Sequence, residues 1–154
     1  SSIVYKSINS LNKFKNVRFT QYVIQKSFFR MLILVKSIFL ISIISKINVA
    51  KNYLLSLLPS GKGPSFDIRN NSWFDITIVG KSKNKTTTTV IKGGDPGYGE
   101  TSKFISETAL SIILNFDQLL ANKGILTPME CTGDILTQRL KKSGILVETR
   151  IEDD

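Results

Sequence analysis

The stretch Gly93-Gly94-Asp95-Pro96-Gly97-Tyr98-Gly99-Glu100-Thr101 joins a β-rich run to a long apolar run, and its reading decides the fold. Pro presets φ for the first central turn position, and Gly accepts the positive φ that a type II turn needs at the second. Pro96-Gly97 therefore predicts a sharp reversal with positive φ at Gly97. Tyr98 projects beside the turn, and Thr101 is placed to cap a helix beginning at Ser102. A β-branched residue at Gly97 is expected to cost on the order of 1–3 kcal/mol. Tyr98 and Thr101 are the candidate substrate contacts, because loops set on a rigid scaffold carry function more often than the scaffold does.

Downstream, Ile105, Ala109, Ile112, Ile113, Phe116 and Leu120 recur at steps of three and four. Leu110, Leu114 and Leu119 widen the stripe. The pattern predicts one helix, buried on more than one side and ended by Asn122-Lys123-Gly124. Next, Thr127-Pro128-Met129-Glu130 predicts a helix start: Thr127 caps, Pro128 takes the first position and Glu130 closes a capping box. Met129, Ile135, Leu136 and Leu140 form its inner face. Gly133 costs about 1 kcal/mol relative to Ala inside a helix, so close backbone packing is its expected reason. Gly144 ends the helix, Ile145-Leu146-Val147 opens a strand, and Glu152-Asp153-Asp154 reads as a solvated tail.

Upstream, residues 73–92 predict a β-hairpin. Phe74, Ile76 and Ile78 alternate with Asp75, Thr77 and Val79, Gly80 to Lys85 connects, and the run Thr86 to Ile91 is β-branched. Before it, Ser60-Gly61-Lys62-Gly63-Pro64-Ser65 is a loop and the expected boundary between residues 1–66 and 67–154. The fold class is α+β: N-terminal apolar and basic helices, a hairpin of a mixed or antiparallel sheet, two C-terminal helices and a final strand.

Charge divides the chain at the same place. Residues 1–66 hold ten Lys/Arg and no Asp/Glu, whereas residues 67–154 hold eleven and twelve. Residues 1–25 read as an interrupted basic helix with Ile3, Ile8, Leu11 and Phe14 as its stripe. In residues 27–45, twelve Phe/Leu/Ile/Val favour bilayer insertion by about 4–7 kcal/mol. Lys36 at the centre takes back roughly 2.5–3.5 kcal/mol, and Arg30 with four serines erodes the rest. Three arrangements follow: an interfacial or hairpin membrane segment, a buried helix, or a span. Leu54 to Leu58 prolong the run to Pro59. Basic residues mixed with aliphatic ones point to a membrane surface. Nucleic acid is not an expected partner, because aromatic residues are not interleaved with the charges as stacking platforms require.

The 42% hydrophobic and 21% charged content is that of a folded chain. There is no histidine, which removes imidazole bases, His-paired nucleophiles and most zinc sites. Cys131 is the sole cysteine, so no disulfide forms within the chain, and a packing role is expected for it. The start at Ser1 reads as a fragment or a processed product. No catalytic residue and no metal ligand is assigned.

The strand pair, Gly-Gly-Asp-Pro-Gly-Tyr (93–98), Thr101, the apolar helix, Gly-Ile-Leu-Thr-Pro (124–128), a second helix and Ser-Gly-Ile (143–145) occur in that order. This order resembles the C-terminal region of the saccharopine dehydrogenase-like oxidoreductases, whose members carry similar Gly-Pro-Glu-Pro-Gly-Tyr and Gly-Val-Leu-Thr-Pro motifs. The likeness is strongest over residues 73–151. Residues 20–58 look like a hydrophobic insertion of animal members, and residues 1–20 match more loosely. The resemblance implies a parent with an N-terminal Rossmann domain binding NAD or NADP, association with membranes, lipid droplets or mitochondria, and a role in lipid or glycolipid metabolism. Asp95 stands for the family's Glu and Gly94 for its Pro. No Gly-x-Gly-x-x-Gly opens a helix, so the chain itself is expected to bind no cofactor and to transfer no hydride alone.

Two functions follow. One is the C-terminal portion of an NAD(P)-dependent oxidoreductase acting on an apolar small molecule, docked to the cytosolic side of a membrane or lipid droplet. The other is a non-catalytic, membrane-associated interaction protein that keeps the fold.

Overall fold

A computed structural model describes residues 2–11, 16–25, 27–57, 61, 63–121 and 123–153. Phe14, Lys26, the Leu58-Pro59-Ser60 end of the apolar run, Lys62 of the loop, and Asn122 lie outside the described residues. The fold is α+β. In chain order, the helices are α1 (Ser2–Ser10), α2 (Phe28–Ile44), α3 (Asn48–Leu57), α4 (Phe66–Asn70), α5 (Gly99–Leu114), α6 (Pro128–Thr132) and α7 (Asp134–Lys142). The strands are β1 (Phe74–Lys81), β2 (Lys85–Gly93) and β3 (Leu146–Asp153), and a short 3-10 turn covers Phe116–Gln118.

The chain divides into two compact units, Ser1–Phe19 with Ser65–Asp154, and Thr20–Pro64. The second of these holds α2 and α3. Its end at Pro64 lies near the sequence boundary at 66, but α1 belongs with the larger unit. The reason is local: Lys6 Nζ donates to the Ile125 carbonyl at 2.6 Å and the Ser7 and Thr127 hydroxyls share a hydrogen bond at 2.8 Å.

In the larger unit the hairpin forms as the alternation requires. β1 pairs antiparallel with β2, and β2 with β3, in the order β1-β2-β3. The register sets Ile76 beside Ile91 and Ile91 beside Val147 on one face. Asp75, Lys92 and Leu146 share the other, where Lys92 pairs with Asp75 at 2.8 Å. Leu140 at the end of α7 and Ile145 before β3 are buried under the first face. β3 runs on through Asp153, so the acidic end is strand rather than solvated tail as far as it is described; Asp153 sits opposite Lys85, 3.7 Å from its ammonium.

The capping box at Thr127 is present with both of its bonds. The Thr127 side chain accepts from Glu130 N, and Thr127 N donates to Glu130 Oε2 at 2.6 Å. The expected single helix after it, however, breaks in two. Gly133 has φ 54° and ψ −133°, outside the helical region, and a Cβ there would lie 2.6 Å from Leu120 Cδ1. Close packing is indeed part of the reason for a glycine here, and backbone conformation is the rest. Met129, read as inward, is exposed.

α5 departs further from expectation. It begins at Gly99, not Ser102, and ends at Leu114, well short of Gly124. Its buried positions are Glu100 and Ser111, with Phe104, Glu107 and Thr108 half-buried beside them. The predicted apolar stripe is turned outward, with Ile105 at 66% and Ile113 at 71% exposure. Glu107 and Ser111 can face inward because both are satisfied there. Glu107 Oε2 accepts from Arg139 Nε of α7 at 2.8 Å, and Ser111 Oγ donates to the Glu107 carbonyl at 2.6 Å.

At the other end of the chain, α1 stops at Ser10 and residues 17–25 run without regular structure, which shortens the expected basic helix.

Candidate functional site

The turn between β2 and α5 is a reversal, as Pro96-Gly97 predicts, but it is built differently. Gly97 is absent from the positive-φ glycines of the described residues, so a type II turn with Gly97 as its left-handed residue does not form. Asp95 organises the turn instead. Its carboxylate accepts from Gly97 N at 3.1 Å, Tyr98 N at 3.1 Å and Gly99 N at 3.0 Å, while Glu100 N donates to its carbonyl at 2.8 Å. Asp at a helix start satisfies amides that the helix itself leaves unpaired. The N–H groups of Gly99, then of Gly97 and Tyr98, with the Arg69 charge nearby, hold the Asp95 carboxyl below the usual carboxylate range. Glu100 ties the turn back to the strand by accepting from Gly94 N at 3.1 Å, and Lys103 pairs with it at 2.7 Å.

Thr101 is therefore not the cap. It lies inside the first turn of α5, and its hydroxyl donates to the Pro96 carbonyl at 2.6 Å. Tyr98 occupies the N-cap position without a side-chain cap bond and is half exposed. Asp95 is the residue that sequence reasoning missed. The signal was present: a carboxylate four residues before the helix, followed by three amides free to turn toward it.

Beneath the turn, the sheet face meets α5 and α7 in an apolar groove of about 480 Å³. Ile76, Ile91 and Val147 form a cross-strand floor, Phe104 and Leu140 the helical wall, and Pro96 adds to the lining. Thr89 and Thr149 lie on the sheet side, hydroxyls 3.0 Å apart, and Thr137 adds a further hydroxyl. Neither Tyr98 nor Thr101 lines this groove; Pro96 is the part of the turn that does. Its size is that of a small-molecule site. Its lining residues carry hydroxyls but no carboxylate, amine or thiol, so they suit holding an apolar chain rather than moving a proton. A smaller cavity, about 300 Å³, lies beside Ile112, Phe116, Leu126 and Cys131.

A pyrophosphate binds where a helix N-terminus offers free N–H groups. Here the amides of Gly97 to Glu100 are already engaged by Asp95, and Asp95 and Glu100 add two carboxylates. The strands on either side are antiparallel, without the parallel crossover of a dinucleotide-binding unit. The residues of this turn do not fit a dinucleotide. Among the described residues no group of three or more Cys, Asp or Glu side chains is arranged to hold a metal ion.

No family model and no solved structure matches the chain. Two curated proteins of Mycobacterium tuberculosis, from strains H37Rv and CDC 1551, are each 34% identical to it over 96 residues. Both are named as candidate trans-acting enoyl reductases. The match covers 58% of this chain, and the chain spans about a fifth of the relatives' length, 22%. Over more than half its length, the chain is thus similar to a segment of proteins named for reductase chemistry.

Proposed function

We propose that this chain is the substrate-side portion of an NAD(P)-dependent oxidoreductase of the saccharopine dehydrogenase-like kind. In this reading it receives the apolar part of an enoyl or related lipid substrate and docks to a membrane or lipid droplet through residues 20–64. The observation that carries the reading is the apolar groove on the sheet face, in a chain similar to proteins named as enoyl reductases. Ile76, Ile91 and Val147 exclude water from the substrate chain, and Pro96 of the turn lines the same groove. The dinucleotide is held by another part of the parent protein, since the Asp95 turn has its amides occupied. The similarity to reductases supports the chemistry, and the exposed apolar surface of α2 supports the docking.

Calorimetric titration tests it. The chain is expected to bind a long-chain enoyl thioester but not NADPH, and the full-length parent to bind both. Val147→Trp fills the groove floor and is expected to lower thioester affinity at least ten-fold. Tight NADPH binding by the chain, or thioester binding indifferent to Val147→Trp, refutes the reading.

The outward apolar stripe of α5 favours a second reading, a non-catalytic membrane-associated interaction protein with the same fold. A parent with a degraded glycine fingerprint and no hydride transfer would establish it.

A further inference from the structure

The larger unit sets twelve Asp/Glu against its fifteen Lys/Arg; the smaller one has none to set against its cations. Residues 20–64 carry six Lys/Arg and no Asp/Glu. Among its described residues no cation has a carboxylate partner, because the unit contains none. We propose that the Thr20–Pro64 unit lies on a lipid bilayer of net negative headgroup charge. This rests on the membrane-docking part of the reading above and goes beyond it by assigning the charge of the surface.

Three observations carry it. First, α2 and α3 bury no side chain, and α2 is apolar on every side, with Phe29, Ile33 and Phe39 each more than 60% exposed. Among the described residues no helix is long and apolar enough to cross a membrane.

Second, Ser37, Ser42, Ser45 and Ser56 of this unit are satisfied by carbonyls within it. Ser37 and Ser42 donate to the Ile33 and Ile38 carbonyls, each at 2.8 Å. The junction between α2 and α3 stays bonded, with Ser45, Lys46 and Ile47 amides donating to Ile41, Ile43 and Ile44 carbonyls. An apolar medium penalises unpaired backbone groups, and the run from α2 through α3 keeps its backbone bonded across the junction.

Third, Arg30, Lys36, Lys46 and Lys51 are spread along both helices and the junction between them rather than gathered into one strip. Their long stems let the charges reach headgroup level while the aliphatic residues between them sink. A nucleic acid would neutralise the cations and leave the aliphatic surface wet. A lipid surface covers both. Each basic residue close to an anionic leaflet multiplies partitioning by about five, so these four together supply a factor of several hundred.

Flotation of the full chain tests the proposal. Vesicles of phosphatidylcholine alone are compared with vesicles containing about one-third phosphatidylserine. Retention is expected on the anionic vesicles, falling at least ten-fold between about 0.1 and 0.5 M NaCl as screening shortens the reach of each charge. The combined Arg30→Gln, Lys36→Gln, Lys46→Gln and Lys51→Gln variant is expected to drop to the phosphatidylcholine level. Lys81→Gln with Lys83→Gln, which removes charge from the hairpin instead, is expected to float like the parent sequence. Equal retention on both vesicles, no retention on either, or an equal loss in the hairpin variant overturns the proposal. Capture of polyuridylate without vesicle retention overturns it in favour of nucleic acid. Thioester and NADPH titrations report on the oxidoreductase reading separately, so the two can fail independently.

Discussion

Gly133→Ala separates the observed fold from the simpler one that helix propensity predicts. If residues 128–142 formed one helix, Ala would stabilise the chain by about 1 kcal/mol relative to Gly. The structure reverses the sign. Gly133 sits at φ 54° and ψ −133°, between α6 and α7. Holding an L-residue in such a sparsely populated region costs about 1–3 kcal/mol. The added methyl also meets Leu120 Cδ1 at 2.6 Å and Cγ at 3.3 Å. Leu120 is 59% exposed, so it can swing aside, and the backbone supplies most of the cost. For a chain of this size, roughly 2–4 °C of melting temperature corresponds to each kcal/mol, so a fall of about 2–12 °C is expected. Thermal unfolding followed by circular dichroism measures it. Leu120→Ala is added to divide the two contributions: the double variant should recover only a small part of the loss. An unchanged or raised melting temperature for Gly133→Ala, or full rescue by Leu120→Ala, refutes the reasoning.

Thr127→Ala removes the acceptor for Glu130 N and the partner of the Ser7 hydroxyl, and should destabilise by about 0.5–2 kcal/mol in urea titration. Glu107→Ala leaves the Arg139 guanidinium without its partner between α5 and α7; a loss of about 1.5–3 kcal/mol is expected, with a double-mutant cycle showing coupling to Arg139→Ala. Asp95 and Glu130 both have carboxyl pKa values lowered by folding, Asp95 by the turn amides and Glu130 by the Ser10 hydroxyl, the Thr127 amide and the Lys6 charge. Below the ordinary carboxylate range the unfolded chain binds more protons, so their contribution is full above about pH 5 and is lost as pH falls through the folded values. Melting temperature should therefore drop on acidification below about pH 4.5, and Asp95→Asn should flatten part of that drop; a variant as acid-sensitive as the parent sequence would count against the Asp95 turn.

Local chemistry was legible in the residues themselves. The alternation of Phe74, Ile76 and Ile78, the β-branched run in β2, and the Thr127-Pro128-Glu130 start all act within a few positions of themselves, and each forms as read. So does the reversal at Pro96-Gly97, although its cap was assigned to Thr101 when Asp95 is nearer the amides in space. Glu107 meets its partner, Arg139, only across thirty-two positions of sequence.

Periodicity establishes that Ile105, Ala109, Ile112 and Ile113 share one side of a helix, and composition establishes that residues 1–66 are all cation and no acid. Neither specifies what a side faces. Only the tertiary structure turned the polar side of α5 inward, because Arg139 arrives on a separate helix to neutralise Glu107 there. Only it divided residues 128–142 at Gly133, because Leu120 and the backbone angle together exclude a side chain at that point. A pattern within one segment records which groups lie together, and the free energy of burying them depends on partners that another segment brings.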